Sequence, residues 1–316
     1  MSEQSSMAFV FPGQGAQAVG MGKDLYDSFP SSRKVFEKAD DVLGFSLSRL
    51  CFDGPEDELN LTINTQPAML TVSYACLEAI KDISISNFPS PAYLAGHSLG
   101  EYTALPVAGV VDFDTAVNLA RERGRLMHEA GLSNPGGMMA ILGLEEEFVA
   151  EVCEETGTII ANINCPGQIV ISGSIESLPA AMELAHEKGA SRTVTLQVSG
   201  AFHSPLMQPA KEGLMEILDK IEFKDPSVPI IANATAKPLN TAAQVKEELI
   251  EQMCSGVQWQ RSIEYMIDNG ISGFIEIGYG KVLAGLIKRI KKDAAIHNIG
   301  TAEAITKLIP DKSDRD

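Results

Sequence analysis

The chain has 316 residues, enough for one large domain with a full core and a smaller one beside it. Apolar residues make up 45% and charged residues 21%, the balance of a soluble globular enzyme, and no apolar run reaches membrane-spanning length. A net charge of −17 argues against nucleic acid as the main partner. Cys51, Cys76, Cys153, Cys165 and Cys254 show no C-x-x-C and no histidine at metal spacing. They read as reduced thiols, with no disulfide or zinc framework. The opening MSEQSSM has no basic segment leading into an apolar one, so a cytoplasmic protein without a signal peptide is expected.

Met7 to Phe11 is a short apolar run stopped by Pro12, which predicts a first buried strand. The glycine-rich turn Gly13-Gln14-Gly15-Ala16-Gln17 follows. With Ala18 it also fits G-x-G-x-x-A, so a dinucleotide enzyme is a rival reading. That rival needs a second strand with an acidic residue about 20 positions on. Lys23 to Leu50 instead shows helical spacing (Leu25, Phe29, Val35, Phe36, Ala39, Leu43), ending at Gly44. A short polar helix is expected over Asp57–Leu61. A longer one is expected over Thr65–Lys81, with Pro67 in its first turn. Ser84 to Pro91 is a loop.

Tyr93 to Leu105 reads YLAGHSLGEYTAL, and the chain is organised around it. It is G-x-S-x-G between a short apolar strand and a helix, the setting of a nucleophile elbow with Ser98 at its apex. The motif alone arises by chance in roughly one chain in ten of this length. The strand–turn–helix context makes it more specific. Pro106 is expected to kink or end the elbow helix one turn early.

Asp112 to Ala130 is the next helix, with Asp112 or Asp114 as its cap. At 100° per residue, Ala116, Leu119, Ala120, Leu126, Met127 and Ala130 share one stripe, and Arg123 falls in its middle. A guanidinium aimed at a core is costly unless an anion meets it. The anion is either one of the chain's own carboxylates or the carboxylate of a substrate.

After the turn Ser133–Gly137 the pattern changes. Met138–Leu144, Thr158–Asn164, Gln168–Ser174 and Arg192–Val198 read as strands, and Glu145–Thr156 and Ile175–Lys188 as helices. The order is β-α-β-β-α-β, a ferredoxin-like unit. The fold class is therefore α/β: a large domain over 1–132 and 199–316, and an inserted small domain over 133–198. The active site is expected in the cleft between them. Of the histidines, His128 and His186 lie at polar helix positions, and His97 points away from its neighbour Ser98. His203 lies in the Ser199–Pro205 loop that leaves the insert, and is the base best placed for Ser98. Beyond it, helices are expected over Lys211–Lys220, Ala242–Cys254, Ser262–Asn269 and Val282–Ile290. Strands are expected over Val228–Asn233 and Gly273–Ile277. The charged tail from Asp311 is expected to be mobile.

Taken together, PGQGAQ (12–17), GHSLGEY (96–102), ERGRLM (122–127), GAFHSPLM (200–207), IIAN (230–233) and VQW (257–259) resemble the malonyl-CoA:acyl carrier protein transacylase family. The resemblance runs from about Met7 to Ile299. It implies an α/β-hydrolase-like large domain carrying the ferredoxin-like insert. It also implies transfer of a malonyl group from malonyl-CoA to the phosphopantetheine thiol of acyl carrier protein, through an acyl-serine, in fatty acid synthesis. By the same resemblance, Ser98 is the nucleophile and His203 its base and acid. The N–H groups of Gln14 and Leu99 form the oxyanion hole, and Arg123 binds the malonyl carboxylate. Phe202 matches the malonyl-selecting form of its motif. Gln252 orients the histidine through its main-chain carbonyl, so no acidic third member is expected, and Asn233 stands near the histidine. No cofactor or metal is implied. The chain is expected to act as a monomer.

Carrier proteins of this pathway are acidic, and so is this chain. Docking therefore needs a local basic patch, because charges more than about 8 Å apart are screened at physiological salt. Candidates are Lys188, Arg192, Lys281, Lys288 and Arg289; otherwise these cations balance helix C-termini. The alternatives are a serine esterase or thioesterase, which needs no arginine on an apolar face, and a trans-acting acyltransferase of a polyketide pathway.

Overall fold

The computed structural model describes residues 6–83 and 88–308. The Ser84–Pro91 loop lies partly, and the tail from Asp311 wholly, outside them. β1 (Met7–Phe11) leads through the glycine turn into α1 (Lys23–Ser28), α2 (Pro30–Leu43), α3 (Leu47–Asp53), α4 (Glu56–Leu59) and α5 (Thr62–Asp82). Then come β2 (Pro91–Gly96), α6 (Leu99–Val107) and α7 (Phe113–Ser133). The next segment is β3 (Gly136–Leu142), α8 (Glu146–Thr156), β4 (Ile159–Cys165), β5 (Gln168–Ser174), α9 (Ser177–Glu187) and β6 (Arg192–Thr195). The chain closes with α10 (Gln208–Leu218), β7 (Ile230–Ile231), β8 (Pro238–Leu239), α11 (Ala242–Glu251), α12 (Trp259–Asp268), β9 (Gly273–Ile277), α13 (Val282–Ile290), β10 (Ala295–Ile299) and α14 (Ala302–Thr306).

Two sheets result. The larger has the order β10-β9-β1-β2-β7-β8, parallel except for β8. The smaller, β4-β5-β3-β6, is antiparallel and follows the β-α-β-β-α-β order read from the sequence. Side-chain alternation explains the layers. Met7, Phe9 and Phe11 of β1 enter the core beneath α2, α5 and α7, whereas Ala8 and Val10 enter the one beneath α12 and α13. In β3, Met138 and Ala140 face the main core, while Met139 and Ile141 pack beneath α8 and α9. Hydrogen bonds Ile163 N→Val257 O (2.9 Å) and Val257 N→Ala161 O (2.8 Å) stitch β4 to the segment before α12.

Register positions the site. Phe11 pairs with Gly96 and Ala95 with Ile231. The turn after β1, the elbow after β2 and Asn233 after β7 therefore gather at the carboxyl ends of parallel strands, where open α/β sheets bind ligands. Among the described residues no strand lies between β1 and β2, which removes the second strand that a dinucleotide fingerprint requires.

Several boundaries differ from the sequence reading. Lys23–Leu50 is not one helix: Phe29 is extended, Pro30 starts α2, and α3 begins after Gly44. α5 starts three residues earlier than expected, so Pro67 lies in its second turn. The Ile63 carbonyl that Pro67 cannot reach is taken by Arg121 Nη1 at 2.9 Å. α6 ends at Val107, one residue past Pro106, and Ala108 N still reaches Ala104 O at 2.9 Å. β10 was not anticipated: it is an edge strand with exposed and half-buried residues, so its pattern is weak.

The elbow glycines are required by close approach. A Cβ on Gly100 would lie 2.0 Å from the Phe11 carbonyl oxygen, and one on Gly96 1.8 Å from the Gly100 carbonyl carbon. Gly100→Ala should cost about 2–3 kcal/mol of stability in urea unfolding. Gly285→Ala, on α13 with open space around it, should gain about 0.5–1 kcal/mol. Equal effects of the two would contradict the packing described.

Candidate active site

Ser98 caps α6 at the carboxyl end of β2 with φ of 51°, in the left-handed region that side chains avoid. This strain lifts its hydroxyl out of the turn. Asn233 holds it there: its Oδ1 accepts from Ser98 N, and its Nδ2 donates to Gly96 O, both at 2.7 Å. Asn233 was expected beside the histidine. Its carboxamide does not orient the imidazole, because both of its ends are engaged at the serine elbow.

His203 also has a positive φ, 57°, and its side chain is buried. Its Nε2 lies 2.8 Å from Ser98 Oγ, and its Nδ1 lies 2.8 Å from the main-chain oxygen of Gln252. A carbonyl only accepts, so Nδ1 carries the proton and Nε2 is free to take one from the serine. The residue orienting the imidazole is thus a main-chain carbonyl.

Arg123 is 1% exposed. Its Nη1 donates to Gln66 Oε1 at 2.7 Å, and its Nη2 to Gln252 Oε1 at 2.9 Å and Ser98 Oγ at 3.1 Å. The guanidinium carbon lies 4.8 Å from the centre of the Tyr102 ring. Every one of these partners is neutral. Among the described residues no carboxylate forms an ion pair with Arg123.

A cavity of about 370 Å³ opens onto this cluster. Its lining includes Gln14, Ser98, Leu99, Arg123, Phe202 and His203. Thr62 Oγ1 donates to Gln14 Oε1 at 2.8 Å, which fixes the glycine turn beside the elbow. His97 borders the cavity too. It bonds Asn164 Oδ1 through Nε2 at 2.8 Å and packs on Trp259, so it is committed elsewhere than to Ser98.

The family model for the acyl transferase domain matches residues 8–316. A malonyl CoA-acyl carrier protein transacylase of Bacillus subtilis is 46% identical over 318 residues, covering 98% of this chain and 99% of the relative. One from Staphylococcus aureus is 41% identical, covering 95% and 97%. An acyl-carrier-protein-S-malonyltransferase from Bartonella henselae superposes with a TM-score of 0.91 at 42% identity, covering 96% of this chain and 98% of that one. The chain belongs to the acyl transferase family. Another member, a malonyl-transacylase solved in complex with a type II PKS acyl-carrier protein, superposes with a TM-score of 0.91 at 39% identity, covering 96% and 99%.

Sequence reasoning missed Gln66 and Glu101. Both are 1% exposed, and both serve the Arg123 cluster: Gln66 directly, and Glu101 by accepting from Gln252 Nε2 at 2.7 Å. The signal was a polar side chain within a helix otherwise buried nearly all round, since such a group needs a partner.

Electrostatics suit a general base. Burial, with the Arg123 charge adding to it, pushes His203 down to about 3 from its usual 6.5. The imidazole is therefore neutral, and able to accept a proton, far below neutral pH. In an acyltransferase assay, the plateau of kcat/KM should extend well below pH 6.5. An acidic limb at or above 6.5, the ordinary histidine value, would contradict the burial of His203.

Proposed function

We propose that the chain transfers a malonyl group from malonyl-CoA to the phosphopantetheine thiol of an acyl carrier protein by a ping-pong route through malonyl-Ser98. The observation that carries this reading is the buried Arg123 charge, surrounded by neutral partners, 3.1 Å from the nucleophile. A simple esterase has no use for such a charge. A malonyl carboxylate would give it the anion it lacks.

Each proposed step draws on groups that surround Ser98. Ser98 Oγ attacks the thioester carbonyl while its proton moves to His203 Nε2. The resulting oxyanion takes the main-chain N–H groups of Gln14 and Leu99, the latter at the N-terminal end of α6, where the helix dipole favours negative charge. The tetrahedral intermediate collapses, the C–S bond breaks, and His203 returns the proton to the departing CoA thiolate. The pantetheine thiol then attacks malonyl-Ser98 and passes its proton to His203. Collapse breaks the serine ester, and Ser98 takes the proton back. The Gln252 carbonyl stabilises the imidazolium in both halves. Phe202 limits the room beside the acyl group. No cofactor enters the reaction.

The same reading assigns an α/β-hydrolase-like domain to 1–132 and 199–316 and a ferredoxin-like one to 133–198, with the cleft between them as the binding site. It places the enzyme in the cytoplasm as a monomer serving fatty acid synthesis; among the described residues no helix is long and apolar enough to cross a membrane. For the carrier protein, the candidate cations separate. Lys188 is tied to Glu151 and Glu155, and Lys288 donates to the Ala294 carbonyl. Arg289 meets Gln168 at 2.5 Å, and Gln168 and Arg192 flank Leu142 on neighbouring strands. Lys281 is exposed at the N-terminal end of α13, where a cation does nothing for the helix dipole. Arg192, Lys281 and Arg289 therefore carry the docking proposal. The known complex of a relative with its acyl-carrier protein supports a partner of this kind.

Intact-protein mass spectrometry after adding malonyl-CoA should show one malonyl adduct that persists until a holo carrier protein is supplied, and none in Ser98→Ala. Rapid loss of the adduct to water would favour the esterase. Arg123→Ala should lower malonyl loading by about 100-fold relative to acetyl loading, since charge-assisted hydrogen bonds contribute about 1.5–3 kcal/mol each. Unchanged selectivity would refute the role of Arg123. Charge reversal at Lys281 and Arg289 should slow transfer to carrier protein about 3–10-fold at low salt while leaving loading from CoA unchanged. Equal effects on both half-reactions would count against the patch.

A further inference from the structure

The Gln252 carboxamide is fully buried and can point only one way. Arg123 has donors and no acceptor, so Oε1 must face it, and Nε2 must then find acceptors. It finds two: Glu101 Oε2 at 2.7 Å and the Ser98 carbonyl at 3.1 Å. We propose that Glu101 is a positioning residue for acylation: its carboxylic acid accepts from Gln252 and so aims Arg123 at the acyl site while supplying no counter-charge. This inference rests on the proposed malonyl transfer and deepens it.

Glu101 is the third residue of α6. At that position a glutamate commonly reaches back to the N-cap amide. Here Asn233 already occupies the Ser98 amide, and the Glu101 side chain turns inward. Its surroundings fit an acid better than a carboxylate. Both donors, Gln252 Nε2 and Asn233 N (3.3 Å), are neutral and meet the same oxygen, Oε2. Oε1 is buried with no donor. An anionic oxygen left without a donor in an apolar interior costs far more than an unpaired hydroxyl.

The two charged groups around it act in opposite directions. Glu248 on α11 faces it across the Asn233 turn, with its own Oε1 accepting from Ala234 N at 2.8 Å. Arg123 on α7 is the cation opposite, one carboxamide removed. Burial first, and the Glu248 charge second, push Glu101 well above the ordinary carboxylate range; the hydrogen bonds from Gln252 and Asn233 and, last, the Arg123 charge pull the other way without reversing it. The chemical consequence is specific. An ionised Glu101 would compensate Arg123 through Gln252 and oppose a second anion. A neutral Glu101 fixes the same geometry and leaves the guanidinium charge for the substrate.

The test compares Glu101→Gln, a neutral isostere that keeps a carbonyl acceptor, with Glu101→Met, which has none. Ser98 loading from malonyl-CoA and from acetyl-CoA is followed by intact mass, alongside the thermal midpoint of each variant. Glu101→Gln should keep the malonyl-to-acetyl ratio within about threefold of the parent enzyme. Glu101→Met should lower the ratio at least tenfold, because an unanchored Gln252 lets Arg123 drift, and acetyl loading makes no use of that charge. A Glu101→Gln ratio shifted beyond threefold in either direction overturns the proposal, since it would mean that an ionised Glu101 matters. A folded Glu101→Met with an unchanged ratio overturns it equally. If Glu101→Met does not fold, the Glu101→Gln ratio decides alone. Failure of the parent enzyme to form a malonyl adduct would sink the proposed function itself and is read from a separate control.

Discussion

A positive charge held inside the protein by neutral groups is the constraint on which the site depends. Removing a guanidinium from water costs several kcal/mol even after relaxation. Arg123 meets that cost with two carboxamides, a serine hydroxyl and a tyrosine ring, none of which cancels the charge. The Gln66 and Gln252 side chains are themselves buried and partnered, so the cation cannot relax toward solvent without leaving them unsatisfied. Such an arrangement is poor for stability and well suited to recognising an acid.

The second constraint is backbone strain. Ser98 and His203 both adopt left-handed conformations, and neither is glycine. Each such residue costs on the order of 1–3 kcal/mol and persists only when its surroundings over-determine it. Asn233 over-determines the serine by gripping the turn at Gly96 and Ser98. Gln252 does the same for the histidine through its carbonyl, and its side chain reaches the serine and the arginine as well. One glutamine at the end of α11 thus ties Ser98, His203 and Arg123 into a single network. Rigidity of this kind holds the Ser98 hydroxyl against the His203 ring with a main-chain carbonyl, not a carboxylate, behind the imidazole.

Much of this was legible in the sequence because local rules and tertiary needs agree there. The elbow declares itself by two glycines: the missing Cβ of Gly100 lets α6 lie on β1, and that of Gly96 lets the turn close on the start of α6. Arg123 declares itself by its place on the apolar stripe of α7. The alternation from Met138 onward announces the second sheet, although its first strand begins at Gly136 and its last ends at Thr195. The rest was hidden for physical reasons. β8 is two residues long, too short for a pattern, and β10 is an edge strand. Asn233 gave no hint that its carboxamide serves the serine, because that depends on the register of β7 against β2. Gln66 and Glu101 look like ordinary polar helix residues until burial shows that they are not.

The most direct measurement is a crystal structure of the malonylated enzyme, with the second half-reaction blocked by withholding carrier protein. The account predicts the acyl carbonyl oxygen directed at the Gln14 and Leu99 amides, and the free carboxylate within hydrogen-bonding distance of the Arg123 guanidinium. A carboxylate directed to solvent, with Arg123 still bound only to its neutral partners, would contradict it.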